Sequence, residues 1–300
     1  LPAFALMVVL SVVYQAGHDL HVVASVFHGL QAIVLALIAS AIVNFGQASI
    51  KNWRDLIPAV GAAALMVLHV NPILMIIAAA AVGFLLYRGM ATPEAARSAG
   101  SAEGAHKLIR LPLYGIGIVA LALTTLFLLD RTLFDLSAIM LKVDLFAFGG
   151  GFTSVPLMFH EVVDVRHWLD TRTFIDGIAM GQVTPGPIVI TATFVGYQIA
   201  GLLGAVVGTI AVFTPSLLIL LLTAPHLHRL QKSAIFRHCL RGVFASFCGL
   251  LFGVAINFGL SVSWNLLAVT IALAAFVALR LKVDILWVVL AGAGISVFIL

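Results

Sequence analysis

Apolar residues along this chain fall in long blocks separated by short polar stretches, roughly at 1–14, 26–46, 55–69, 72–87, 111–129, 136–163, 172–198, 199–223, 236–259, 265–280 and 284–300. A helix needs about 20 apolar residues to cross the hydrocarbon core of a bilayer. The pattern therefore predicts an all-α polytopic membrane protein, its blocks of 15–17 residues tilted or only partly inserted. Two blocks are interrupted, by FGGG at Phe148–Gly151 and by TPGP at Thr184–Pro187. Glycine costs about 1 kcal/mol and proline about 3 kcal/mol in a helix interior, and in lipid the freed backbone groups must also find partners. Both blocks are expected to hold broken, discontinuous transmembrane helices, from which many transporters build a substrate site. The plainer alternative is that the glycines permit close helix packing and that TPGP is an ordinary loop.

Composition supports the membrane reading. The chain is 62% apolar and only 9% charged, against about 25% charged in soluble domains. The stretch 88–110 is the one clear change of composition, a polar linker rich in Ala, Gly and Ser. Cys239 and Cys248 lie on one expected helix, about 13 Å apart along its axis, too far for a disulfide. His18 and His21, and His226 and His228, have spacings that could suit a metal, but apart from Asp19 no acidic or Cys partner completes either set. No metal and no cofactor is expected.

Residues 1–87 align without gaps onto 214–300 at a constant offset of 213, with Pro2 on Pro215, Gly29 on Gly242 and Asn44-Phe45-Gly46 on Asn257-Phe258-Gly259. The expected organisation is 1–87 as the second half of an N-terminal repeat whose start lies ahead of Leu1, 88–110 as a cytoplasmic linker, 111–130 as a linking transmembrane helix and 131–300 as a complete C-terminal repeat. Placing 47–54, 88–110, 164–172, 224–241 and 280–283 on the cytoplasmic side gathers 14 of the 16 basic residues there, as the positive-inside rule requires. Residues 224–241 carry four Lys/Arg whereas their counterpart 11–28 carries none, so the repeats are expected to run in opposite directions. Inverted repeats are a transporter signature. The net charge of +4 is then a matter of orientation, and no nucleic-acid partner is expected.

The run FGGGFTSVPLMFHEVV, then Trp168, then FIDGIAMGQVTPGPIVITATFVGYQIAGLLGA resembles the second-half signature of the chromate ion transporter family. The resemblance implies a protein of two oppositely oriented halves in the cell inner membrane that exports chromate and confers chromate resistance, with sulfate as substrate or competitor. Its implied partners are those anions, the lipid bilayer, the remainder of the N-terminal repeat and a second copy in a homodimer. The alternatives are sulfate or related oxyanion uptake, and a membrane enzyme or non-transporting assembly partner. An enzyme needs a convergent nucleophile, base or metal set, which the sequence does not offer.

Candidate substrate-binding residues are Gly149, Gly150, Gly151, Thr153, Ser154, Gln182, Thr184, Gly186, Pro187, Thr191 and Lys142. Helices restarting near Phe152 and at Pro187, with the proline in a first-turn position, would point free N–H groups and positive dipole ends into the breaks. Two segments crossing in opposite directions would bring these ends together near the midplane. The Thr and Ser hydroxyls, Thr193 included, could donate to a tetrahedral oxyanion or instead bond helix carbonyls. Lys142 could pair with Asp144 or supply positive potential to the site. Glu161, Asp176 and Asp144 are candidate coupling residues; a surface ion pair of Glu161 with Arg166 is the alternative.

Overall fold

The computed structural model describes residues 1–17, 21–88, 110–147, 150–224 and 232–299, and among them every regular element is helical. The elements are α1 (Pro2–Gly17), α2 (His21–Ser49), α3 (Leu56–Val67), α4 (Pro72–Tyr87), α5 (Arg110–Leu129), α6 (Arg131–Phe146), α7 (Gly151–Phe159), α8 (Thr171–Val183), α9 (Thr191–Thr223), α10 (Ala234–Ser261), α11 (Leu266–Arg280) and α12 (Ile285–Ile299). Among the described residues, four apolar helical stretches are long enough to cross a membrane: Phe27–Ser49, Pro112–Leu129, Ile188–Thr223 and Ala234–Ser261. Gly149, His18, Asp19, His226, His228 and nearly all of the 88–110 linker lie outside the described residues.

The long helices α2 and α10 form the axis of the molecule. They run antiparallel, with Gly46 against Cys248 and Gly259 against Leu35. Gly242 lets α10 press onto α4: a Cβ there would fall 2.1 Å from Ala79 O and 2.8 Å from Gly83 Cα. Gly29 does the same for α2 on α12, where a Cβ would fall 2.8 Å from Ser296 Cβ. Each position in one set lies 213 residues from its counterpart in the other: Gly29 and Gly242, Ala79 and Gly292, Gly83 and Ser296.

Residues 136–163 and 172–198 are not crossing segments with a break, as the hydropathy predicts. Each is folded back on itself. Lys142 pairs with Glu161 at 2.5 Å and Arg166 with Asp135 at 3.0 Å, so α6 and α7 are antiparallel arms of one hairpin. Gly177 faces Phe194 and Gly181 faces Thr191, so α8 and the start of α9 form a second hairpin. A third reversal falls inside α9. Ala200 and Gly201 leave helical geometry there, Gly201 at φ 59°, a value at which only glycine avoids a steric cost. The two arms of α9 then lie so close that a Cβ on Gly196 would meet Gly204 O at 2.1 Å. The remaining arm, 202–223, is about 33 Å long at 1.5 Å per residue and can still cross a bilayer.

The cause of each break is local. Pro185 lacks an N–H and disfavours helical geometry in the residue before it; Thr184 accordingly turns to ψ 142° and ends α8. Gly150 sits at φ 115° ahead of α7. Apolar burial then fixes how the hairpins dock. Phe159, Phe174 and Phe258 meet edge to face, with centroids 5.2 to 6.2 Å apart, joining α7, α8 and α10.

The hairpins revise the sidedness expected for residues 164–172. Arg172 donates to Ser261 O at 3.1 Å and to Ser263 Oγ at 3.0 Å, and His69 lies 3.1 Å from Asp164. The 164–172 loop therefore shares one end of the molecule with the start of α6, the α3–α4 turn and the end of α10. Lys51, Arg54, Arg88, Arg237, Arg241, Arg280 and Lys282 stand at helix ends on the other side. At this basic end Asp55, fully buried, accepts from Arg241 Nε and Nη2 (both 2.8 Å), from Tyr87 Oη and from the N–H groups of Asn52 and Lys51. Burial alone would raise the Asp55 carboxyl; the hydrogen bonds from Arg241, Tyr87 and the two N–H groups outweigh it and hold the pKa at about 2.

Candidate functional site

The tips of the two hairpins meet. A Cβ on Gly151, the first residue of α7, would lie 2.7 Å from Ile188 Cγ2 and 3.6 Å from Ile188 N. Ile188 opens a 3-10 turn, Ile188–Ile190, that leads into α9. Pro187 is the residue ahead of that turn, at φ −70° and ψ 147°, rather than the first-turn residue expected. First-turn N–H groups have no carbonyl partner within their own helix. Two sets of them are thus brought together where Gly150, Pro185, Gly186 and Pro187 are exposed. Both α7 and the first arm of α9 run from their tips toward the 164–172 end. Their positive dipole ends consequently face the basic end.

Convergence of the two N-termini matches the expectation, but its cause is two re-entrant folds and not two opposed crossings. Asp144, near the end of α6, accepts from Ser216 N (2.6 Å) and Ser216 Oγ (2.8 Å). The tips are therefore level with a point inside the 202–223 arm and not with its end.

The hydroxyls near the tips are committed inward. Thr153 Oγ1 donates to Gly150 O (2.6 Å), Ser154 Oγ to Gly151 O (2.6 Å), Thr184 Oγ1 to Gly181 O (2.8 Å) and Thr191 Oγ1 to Ile188 O (2.7 Å). Thr193 shares a hydrogen bond with Thr209 at 2.7 Å across the two arms of α9. Gln182 is half-buried one turn before the second tip. Lys142 is paired with Glu161 and not with Asp144, and Arg166 takes Asp135, so both local pairings considered from sequence spacing are replaced by contacts across the hairpin. Among the described residues, the side chains at the tips carry no uncompensated positive charge.

A family profile described as Chromate transporter matches residues 1–84 and 134–297. The chain belongs to the chromate transporter family. It is 40% identical to an uncharacterized transporter of Methanocaldococcus jannaschii, over 100% of this chain and 74% of that one. It is 29% identical to the chromate transport protein of Cupriavidus metallidurans, over 85% of this chain and 61% of that one. It is 28% identical to the chromate transport protein of Pseudomonas aeruginosa, over 93% of this chain and 66% of that one. The chain therefore spans less than two thirds of the length of these two chromate transport proteins. No solved structure matches the chain.

In this chromate transporter chain Asp176 is 5% exposed and accepts from Gln31 Nε2 at 2.8 Å and Tyr14 Oη at 3.1 Å. Neither donor is a cation. The trio joins α1, α2 and α8 in the apolar interior, and Tyr14 is fixed edge-on against Phe27 and Phe194. Tyr14 and Gln31 escape a reading of the sequence because they lie 162 and 145 residues from Asp176. The π-helical turn His160–Val165, which holds Glu161 and Asp164 on the arm below the first tip, escapes it too. Pro156 inside α7 is the visible sequence signal that this helix is irregular. Turns of this kind are frequent at functional sites.

Proposed function

We propose that the chain forms the oxyanion-translocating unit of a multi-pass inner-membrane transporter that exports chromate and confers chromate resistance, with sulfate as the close analogue. The observation that carries this reading is the meeting of two helix N-termini at the glycine and proline tips. Backbone N–H groups at helix N-termini are a ready anion site. A site without a full opposing charge also suits a carrier, which must release its ion as well as bind it.

In this reading the N–H groups of Gly150, Gly151 and Ile188 contact the anion, Gly186 and Pro187 shape the second tip, Gln182 assists, and Asp176 carries the coupling proton. Thr153, Ser154, Thr184 and Thr191 shape the tips through their carbonyl bonds. Lys142 and Glu161 hold the first hairpin closed. The basic end is cytoplasmic by the positive-inside rule, so the positive dipole ends face the compartment from which the anion departs. Residues 1–87, the second half of one repeat, and 131–300, a complete repeat, run in opposite directions, which the antiparallel α2 and α10 and their equivalent partners support. A dianion leaving a cell that is negative inside gains about 4.6 kcal/mol per 100 mV, twice the value for one charge. Uptake would have to overcome the same sum.

The test is chromate accumulation by inverted vesicles from cells expressing the protein, with the sodium salt of sulfate as competitor. Accumulation that sulfate inhibits supports the reading. Chromate accumulation by right-side-out vesicles alone would reverse the direction. Absence of movement of either anion would remove the function.

A further inference from the structure

The buried carboxylate of Asp176 has different surroundings on its two sides. Helix α1 begins beside the second tip, where a Cβ on Gly186 would lie 3.0 Å from Ala3 Cβ. It ends beside Asp176, where Tyr14 donates to Oδ2 at 3.1 Å. Between these points Met7, Met180, Ile190 and Phe194 pack together, none more than 3% exposed. Ser11, the buried hydroxyl of α1 in that stretch, is spent on Met7 O at 2.7 Å. The tip side of the carboxylate is thus apolar. Toward the 164–172 end the surroundings are polar. Thr173, half-buried in the first turn of α8, stands three residues before Asp176 and so on the same helix face. Its hydroxyl hydrogen-bonds to Tyr14. Two hydroxyls and a carboxylate therefore form a line from the first turn of α8 into the apolar interior.

We infer that Thr173 and Tyr14 relay the coupling proton to Asp176 from the 164–172 end, an inference that rests on the coupling role proposed above for Asp176. A hydroxyl can donate one hydrogen while it accepts another. With Asp176 ionised, Thr173 donates to Tyr14 and Tyr14 to the carboxylate. A proton from water joins Thr173 Oγ1 as the Thr173 hydrogen passes to Tyr14 Oη and the Tyr14 hydrogen to Asp176 Oδ2. One proton leaves the water, one arrives on the carboxylate, and neither hydroxyl keeps a charge. The line then points outward, Asp176 donating to Tyr14 and Tyr14 to Thr173, and return of the proton reverses it. Gln31 has no such part: its amide donates to Oδ1 at 2.8 Å with a hydrogen it does not release, and so holds the carboxylate in place. Of the charged groups beside the first turn, Asp170 accepts from Thr173 N at 2.7 Å and Arg172 donates to Ser261 O and Ser263 Oγ. With the basic end cytoplasmic, the line opens to the external side, and protons enter as chromate leaves.

The test compares two rates in inverted vesicles holding the full protein: chromate accumulation driven by an acid interior, and exchange of labelled for unlabelled chromate without a gradient. Tyr14→Phe keeps the ring that packs edge-on against Phe27 and Phe194. In this variant the ratio of accumulation to exchange should fall on the order of a hundredfold, the lower end of what a positioned proton-transfer group contributes. Thr173→Val should lower the ratio too, and Thr173→Ser should restore it. In a variant lacking Cys239 and Cys248, Thr173→Cys should be inactivated by a membrane-impermeant thiol reagent only from the face that carries Val165. Inactivation from the other face would overturn the inference. So would an unaltered ratio in Tyr14→Phe and Thr173→Val while Asp176→Asn loses it, which would leave Asp176 as the coupling group without this relay. An unaltered ratio in Asp176→Asn would instead remove the coupling role and the relay with it. If Tyr14→Phe fails to insert, the contrast between Thr173→Val and Thr173→Ser decides, and equal loss in both would overturn the relay.

Discussion

Lys142 Nζ lies 2.5 Å from Glu161 Oε1 and closes the first hairpin below its glycine tip. Glu161 is 8% exposed and Lys142 39%, so the carboxylate is the partner that depends on the pair. Lys142→Met should leave that carboxylate buried without a cation, at a cost of about 3 kcal/mol. Lys142→Met/Glu161→Met should recover most of the loss, because an apolar pair of similar volume replaces the ion pair. Thermal unfolding in detergent of the single and double variants measures both. A double variant as unstable as Lys142→Met would mean that the hairpin does not rely on this contact.

The hairpins also fix which loops share a side. In a variant lacking Cys239 and Cys248, single cysteines at Val165 and Ser263 should react with a membrane-impermeant thiol reagent from the same face. Cysteines at Lys51 and Lys282 should react only from the other. Labelling of Val165→Cys together with Lys282→Cys would restore two crossing segments and remove the re-entrant fold.

Glycine positions separate backbone requirement from simple spacing. Gly150 has open space around it but φ 115°, and Gly196 has ordinary geometry but a Cβ added there would lie 2.1 Å from Gly204 O. Gly150→Ala should cost about 1–3 kcal/mol through strain and lower chromate flux, because the tip must rearrange. Gly196→Ala should force apart the two arms of α9 and lower stability as well. Gly61→Ala and Gly117→Ala, where a Cβ meets nothing within 4 Å, should be neutral or slightly stabilising. Flux and unfolding temperature of the four variants give the comparison.

Asp55 predicts an acid limb of stability. Its carboxyl is held at about 2 when folded against 3.8 when free, so the stability it contributes is present above about pH 4. That contribution is lost as pH falls through about 2. Asp55→Asn should lower stability at neutral pH, since Arg241 loses its bidentate partner, and should flatten the dependence between these values. An unchanged acid limb in the variant would assign it to other carboxylates.

Asp176 is the group on which coupling is tested most directly. Asn in its place can accept from Gln31 through Oδ1 and donate through Nδ2 to the Tyr14 hydroxyl, so the fold should persist. Asp176→Asn should preserve exchange of labelled for unlabelled chromate across vesicles while abolishing accumulation driven by a pH gradient. Loss of exchange and accumulation together, with normal insertion, would make Asp176 a structural group.

Much of this architecture is legible in the chain itself. Block positions place most of the helices, and the 213-residue offset foretells the separate partnerships of Gly29 and Gly242. The chemistry of Gly150 and Pro185 requires helix ends at 150 and 185 whatever surrounds them, because φ 115° and a missing N–H are local facts. Hydropathy cannot distinguish a broken crossing from a re-entrant hairpin, since both bury the same apolar residues at the same depth. That choice was made by contacts between distant positions: Arg166 with Asp135, Gly181 with Thr191, Arg172 with Ser261. The site follows the same division. Sequence determined which backbone groups are left unpaired at the tips. Tertiary structure decided that they meet, that Lys142 faces Glu161, and that Asp176 receives Tyr14 and Gln31, because each depends on the docking of helices that no local interaction specifies.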